Sequence, residues 1–352
     1  MLGILSELQT FSQSFCALSS TSSILTHQPT MSFQHFHPAF KEITGQNPEI
    51  KPHLENEYPF AHEAGVYIPS KDQLFITSNL ITKNNHQRIQ ISKIQLNDTK
   101  CTQEEIHPDI PMGNGGVNYQ DGVLFCSQGT LDRPSSLIYM EIEVPYKCTT
   151  ILDSFYGRQF NSINDVVIHS DGSIWFTDPI YGFKQGFRPK PELPVQVYRY
   201  DPVTKAVRVV ADGFGRPNGI SFSPDEKVVY VTDTDAVQGD GNIELSRAAT
   251  IYAFDVVHYH GQPFLTNRRV FAMADNGIPD GIKCDLEGNV YSGCGDGIHV
   301  WSPGGVLLGK MLIPGGVANF CFEKPGKILA LNETRLWRIS LAPSRRGALL
   351  GI

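Results

Sequence analysis

The stretch Asn161-Ser-Ile-Asn-Asp-Val-Val-Ile-His-Ser-Asp-Gly-Ser-Ile-Trp-Phe-Thr-Asp-Pro179 decides the fold. Two short apolar runs, 166–168 and 174–177, flank a Ser170-Asp171-Gly172-Ser173 turn. Asp-Gly between β-branched runs is the strongest short-range hairpin signal. Ahead of the first run stands Asn164, seven residues before Asp171. That spacing recurs along the chain.

A turn marker followed by a strand appears at Asp72, Asp121, Asp171, Asp225, Glu287 and Gly326, with successive spacings of 49, 50, 54, 62 and 39 residues. A further strand with an aromatic or apolar centre follows each marker, at 88–96, 137–143, 196–200, 250–254, 298–301 and 335–339. No segment sustains a 3.6-residue apolar period over helical length. Six units of three or four short strands at this period predict an all-β, six-bladed β-propeller, whereas a sandwich predicts no regular period. A ring of blades needs closure, and residues 40–54 are the candidate for the closing strand. The expected organisation is a mobile or loosely docked segment over 1–35, a single propeller over 36–345 and a tail over 346–352.

Composition narrows the function. The chain has 352 residues and a net charge of −7, and no block of Lys or Arg. This argues against nucleic acid or an anionic membrane as the main partner. No run approaches the length of a spanning helix. Residues 1–18 lack a positive flank and an unbroken apolar core, so a signal peptide is not read there. Cytoplasmic location is favoured over secretion. Seven cysteines with no CxxC leave disulfides open, a Cys101–Cys148 pair among them. The sequons at Asn97 and Asn332 matter only if the protein is exported.

The constant offset identifies the candidate site. Seven residues before their markers lie Asn114, Asn164, Asn218, Asp280 and Asn319; Glu63 precedes its marker by nine, with Pro69-Ser70-Lys71 lengthening the turn. Equivalent residues of successive blades fall on a circle about the channel. Six side-chain oxygens then converge, two carboxylates and four carboxamides, with no Cys or His. Hard cations take six to eight such oxygens, while Zn²⁺ favours N and S donors. Ca²⁺ is the expected guest, with Mg²⁺ or Mn²⁺ next. Asn and Asp before Gly are also ordinary turn residues, and at any one position that reading stands beside the ligand reading.

The chain resembles the calcium-dependent gluconolactonase family, also called the senescence-marker-protein family, and within it the fungal lactonohydrolases. The resemblance is carried by His62-Glu-Ala, by Asn164-Asp-Val-Val-Ile-His-Ser-Asp-Gly-Ser-Ile-Trp-Phe-Thr-Asp-Pro-Ile-Tyr-Gly182, by Arg216-Pro-Asn-Gly-Ile-Ser-Phe-Ser-Pro-Asp225, by Pro279-Asp-Gly-Ile-Lys283 and by Tyr291-Ser-Gly-Cys-Gly-Asp-Gly297. It implies a six-bladed propeller with one catalytic divalent ion in the channel. It also implies metal ligation by Glu63, Asn164, Asn218 and Asp280, with Asp280 doubling as base. Asn114 and Asn319 would then lie behind the ligands or face substrate. Animal members that prefer sugar lactones carry Arg two residues before the Asn matching Asn164; here that residue is Ser162.

The implied reaction is hydrolysis of a small-molecule lactone, with the carbonyl polarised by the ion and a water activated by Asp280. Asp165 would orient Asn164 or Asp280. Tyr181, with Arg158, Phe160, Phe183 and Phe187, either lines the substrate pocket or packs the blades. His62, His169 and His299 rank lower as acid–base groups, and absence of G-x-S-x-G argues against a serine hydrolase. The segment Asp233-Thr-Asp-Ala-Val-Gln-Gly-Asp-Gly-Asn-Ile-Glu244 lacks the glycine and flanking helices of an EF-hand and reads as a loop over the channel mouth. Two alternatives stay open: a propeller of secondary metabolism that binds or cyclises a reactive small molecule without hydrolysis, and a protein-interaction propeller without an ion.

Overall fold

A computed structural model describes residues 31–97 and 101–352. Six antiparallel sheets of at least four strands surround one channel, as the repeat predicts. The innermost strands are Glu63–Ile68, Gly113–Tyr119, Val166–Ile168, Pro217–Phe222, Ile282–Cys284 and Asn319–Lys324, in blades 1 to 6. The opening stretch forms the inner hairpin of blade 3, where Val166, Val167 and Ile168 pair with Phe176, Trp175 and Ile174. Its turn places Gly172 at φ 83°, a left-handed conformation that favours glycine.

Strand periodicity explains the packing. Successive side chains point to opposite faces, and each blade has a neighbour on both sides. Both faces are therefore apolar, and the core divides into six clusters, one per blade interface. In blade 3, Ile174 and Phe176 pack toward blade 2 while Trp175 between them packs toward blade 4. Phe160 lies edge-on to Phe176 and Tyr198 in the first of these clusters, so it is a blade-packing residue.

The ring is closed by Glu49–Glu55, which pairs with Arg335–Ser340 as the outer strand of blade 6. This lies within the expected closing segment, but Phe40–Thr44 in the same segment is a short helix whose Phe40 is fully buried against blades 5 and 6. Ser32–His35 adds a fifth strand to blade 5 along Leu307–Leu312. Residues 1–30, which include Cys16 and most of the expected lead segment, lie outside the described residues. Cys101 and Cys148 are free thiols rather than a pair. Among the described residues no helix is long and apolar enough to cross a membrane. Asn332 of the second sequon is buried, its amide donating to the carbonyls of Gly316 and Pro314.

Candidate functional site

Each inner strand begins within two residues of its ring residue, so all six stand at the entry end of their strands. All six ring residues are buried, the most exposed being Asn114 at 8 %. The glycines that follow three of them are not turn glycines: Gly115, Gly219 and Gly281 lack positive φ. They are small because the next blade comes too close. A β-carbon at Gly115 would sit 2.4 Å from the Asn164 carbonyl oxygen, at Gly219 2.5 Å from the Asp280 carbonyl oxygen, and at Gly281 2.4 Å from the Asn319 side chain. At these three ring positions the glycine therefore marks close contact with the next blade rather than a left-handed turn.

Hydroxyls on the second strands stitch the ring from behind. Thr77 donates to the Asn114 carbonyl at 3.0 Å, Thr177 to that of Asn218 at 2.7 Å, and Thr232 to that of Asp280 at 3.0 Å, each reaching one blade onward. Thr232 also accepts from Gly219 N–H at 2.7 Å. Replacing Thr232 by Val keeps the shape but strands a buried N–H. We expect a loss of about 1–3 kcal/mol in thermal or denaturant unfolding.

Two acids hold the approach to the ring. Asp178 accepts Asn161 N–H at 2.9 Å and Ser162 N–H at 2.7 Å; Asp233 accepts Gly215 and Arg216 N–H at 3.0 and 2.8 Å. In both blades the bound amides lie three and two residues before the ring asparagine. Burial pushes the Asp178 carboxyl up to about 7, against the two amides and Arg188 that draw it down. Sequence reading passed over these clamps, although the repeated Thr-Asp at 177–178 and 232–233 was their signal.

The oxygens divide into those already bonded and those left over. Glu63 accepts Asn319 Nδ2 at 2.7 Å, and Asn319 Oδ1 in turn accepts Phe320 N–H at 2.8 Å. Asn114 Oδ1 accepts Gly115 N–H at 3.0 Å. Asn319 and Asn114 thus use their side chains within the protein. Asn164 Oδ1 and Asp280 Oδ1 are buried with no hydrogen-bond partner, and such groups call for an unseen ligand. Burial, then the charge of Glu63, raises the Asp280 carboxyl well above the ordinary range, while His62 opposes. Glu63 is raised by burial and Asp165 and drawn back by His62, Asn319 and Lys283. A divalent cation among them would reverse both shifts. Among the described residues no three His, Cys, Asp or Glu side chains converge as a metal cluster. The set fits a hard cation only because asparagine oxygens join the two carboxylates.

The other expected residues spread around this centre. Asp165 accepts Ile220 N–H of blade 4 at 3.1 Å and approaches Gly115 of blade 2, so its carboxylate lies near the axis. Ser162 is fully buried, its hydroxyl donating to Gln128 at 3.0 Å and accepting Gly182 N–H at 3.1 Å; it backs the site and does not face the channel. Tyr181 opens a short helix, and its hydroxyl pairs with Thr234 beside Asn218. The loop 234–249 lies over it, since a β-carbon at Gly239 would touch the Tyr181 ring. Phe183 is surface-exposed and Arg158 donates to the Glu192 carbonyl outside the ring.

Glu333 is the residue that the sequence concealed, inside a sequon. It accepts from Asn79 at 3.1 Å and pairs with His62 Nδ1 at 2.6 Å, in a small cavity that Asp280 shares. Burial alone would lower the His62 pKa, but Glu333, Glu63 and Asp280 together raise it to about 10. His169 packs against Phe222 at the far end of its strand, and His299 is buried against Asp296 at 2.5 Å.

Residues 86–329 match the SMP-30/gluconolactonase/LRE-like region. The chain is 32% identical over 310 residues, 81% of its length, to lactonohydrolase oryL of Aspergillus oryzae. It is 30% identical over 239 residues, 64% of its length, to a gluconolactonase of Zymomonas mobilis. It spans 68% and 61% of those two proteins. Among solved structures, the gluconolactonase XC5397 of Xanthomonas campestris superposes with a TM-score of 0.70 at 25% identity, over 93% of this chain and 100% of that one. A calcium-binding regucalcin of Agrobacterium tumefaciens superposes at 0.59 with 16% identity, over 83% and 93%, a likeness of fold alone. The chain belongs to the SMP-30/gluconolactonase family.

Proposed function

We propose that the protein hydrolyses a lactone, opening a cyclic ester at the ring of Glu63, Asn164, Asn218 and Asp280 with a divalent cation, Ca²⁺ first, held by those four residues. The observation that carries this reading is that two oxygens of the ring that holds buried Glu63, Asn164 Oδ1 and Asp280 Oδ1, are buried without a hydrogen-bond partner. Lactonohydrolase and gluconolactonase relatives support the substrate class. When bound, the ion polarises the lactone carbonyl and stabilises negative charge on its oxygen.

The chain's own residues do the rest. Asp280 accepts a proton from the attacking water, its carboxylate kept ionised in the loaded site despite the burial and the Glu63 charge that raise it without the ion. Asn319 fixes one Glu63 oxygen and leaves the other for the ion. Tyr181 holds the Asn218 side of the ring. The proton then passes to the ring-opened alkoxide, giving a hydroxy acid. A panel of aldonolactones, aromatic lactones and macrolactones followed by proton release tests the reading. We expect turnover of at least one class with the ion supplied. Binding of a panel member without ring opening would favour the non-hydrolytic alternative.

A further inference from the structure

Downstream of the ring along every inner strand the channel continues as a cavity, reached by Val66, Val117, Val167, Ile220 and Phe322 and lined toward the C-terminus by residues 347–350 and Ile352. In this mostly apolar space stands one cation, Lys283. Its neighbours Ile282 and Cys284 pack in the core between blades 4 and 5, so strand alternation turns Lys283 away from that core, where it lines the cavity half-buried. Among the described residues no carboxylate lies at ion-pair distance from its ammonium. Glu226 also lines the cavity but is engaged at the rim by Ser170.

Charge bookkeeping gives this lysine a role. Glu63, Asp165 and Asp280 are three buried carboxylates around the axis, at 2, 2 and 4 % exposure. His62 and Glu333 form their own pair and cancel. One divalent ion leaves a negative charge over, and buried charge without compensation is costly. We propose that Lys283 is the built-in third positive charge of the ring, balancing Glu63, Asp165 and Asp280 from the channel side opposite the substrate mouth and weakening the grip on the divalent ion to a single, exchangeable one. This rests on the metal reading of the ring. Asp165 accepts the N–H of Ile220 at 3.1 Å, and Ile220 lines the same cavity as Lys283.

The test is a charge cycle on the full chain: wild type, Lys283→Met, Lys283→Arg, Asp165→Asn and the Lys283→Met/Asp165→Asn double variant. Each is stripped with chelator, titrated with CaCl₂ by calorimetry, and melted without metal. We expect Lys283→Met to bind Ca²⁺ about tenfold more tightly and Asp165→Asn about tenfold more weakly. The double variant should return to near wild type, and Lys283→Arg should match it. Without metal, Lys283→Met should melt below wild type and the double variant should recover. Unchanged Ca²⁺ affinity and unchanged melting in Lys283→Met would overturn the proposal. If Lys283→Met does not fold, recovery by the double variant supports it and failure to recover overturns it. A wild type that binds no divalent cation sinks the metal reading separately, while the metal-free melting comparison still decides whether Lys283 balances the charge of Asp165.

Discussion

Asp280→Asn is expected to fold and to lose lactone turnover by about 10²–10⁴, the range for removing a positioned general base. Loss of a charged ligand adds to this through weaker metal binding. The backbone of residue 280 donates to Gly293 and accepts from Thr232, and neither bond involves the side chain. The amide has the carboxylate's shape without the desolvation cost of a buried charge. The unfolding midpoint of the metal-free variant should therefore equal or exceed that of wild type. Stopped or steady-state proton release measures the activity, and thermal unfolding the fold. Wild-type turnover in Asp280→Asn would remove Asp280 from the chemistry.

Gly115→Ala is expected to cost stability and site geometry together. Its β-carbon would stand 2.4 Å from the Asn164 carbonyl oxygen and 2.9 Å from the Asp165 α-carbon, backbone contacts that no side-chain rotation can relieve. Gly115 N–H also donates to the same carbonyl at 2.8 Å, so any shift breaks a bond between blades 2 and 3. Overpacking of this kind costs about 1–3 kcal/mol, a drop of several degrees in melting temperature. Because the strain falls on Asn164, activity should fall further than stability predicts. A variant that melts and turns over like wild type would show that the blades are not held at this spacing.

The propeller was legible because one supersecondary unit repeats and each repeat carries its turn marker. The register of the candidate ring residues was legible for the same reason, and its one irregular member keeps that register. Glu63 and Asn114 both lie five residues before the end of their inner strands, at Ile68 and Tyr119. The two extra residues before Asp72 belong to the turn, as Pro69-Ser70-Lys71 implied. What the sequence hid acts outside the inner strands. Asp178 and Asp233 bind amides on the preceding connection, and Glu333 meets His62 across the closure of the ring. His62 and Glu333 stand 271 residues apart with no local pattern to mark them, whereas the aspartate clamps span 16 to 18 residues and left only the repeated Thr-Asp as a trace. The glycines after the ring residues were visible, but their cause was not. Asn-Gly reads as a turn until the next blade is seen against it. Ser162 and Phe160 were legible as near the site, and only packing places both behind it.

Four ring residues are proposed to hold a divalent cation on which lactone opening depends. The decisive measurement strips the purified full chain with chelator, exchanges the chelator away, and follows lactone hydrolysis as CaCl₂ is returned. The expected result is loss of activity on stripping and its return with Ca²⁺ at one equivalent of bound ion, with Asn164→Ala and Glu63→Gln requiring more Ca²⁺. Full turnover of the stripped, metal-verified protein would contradict the account.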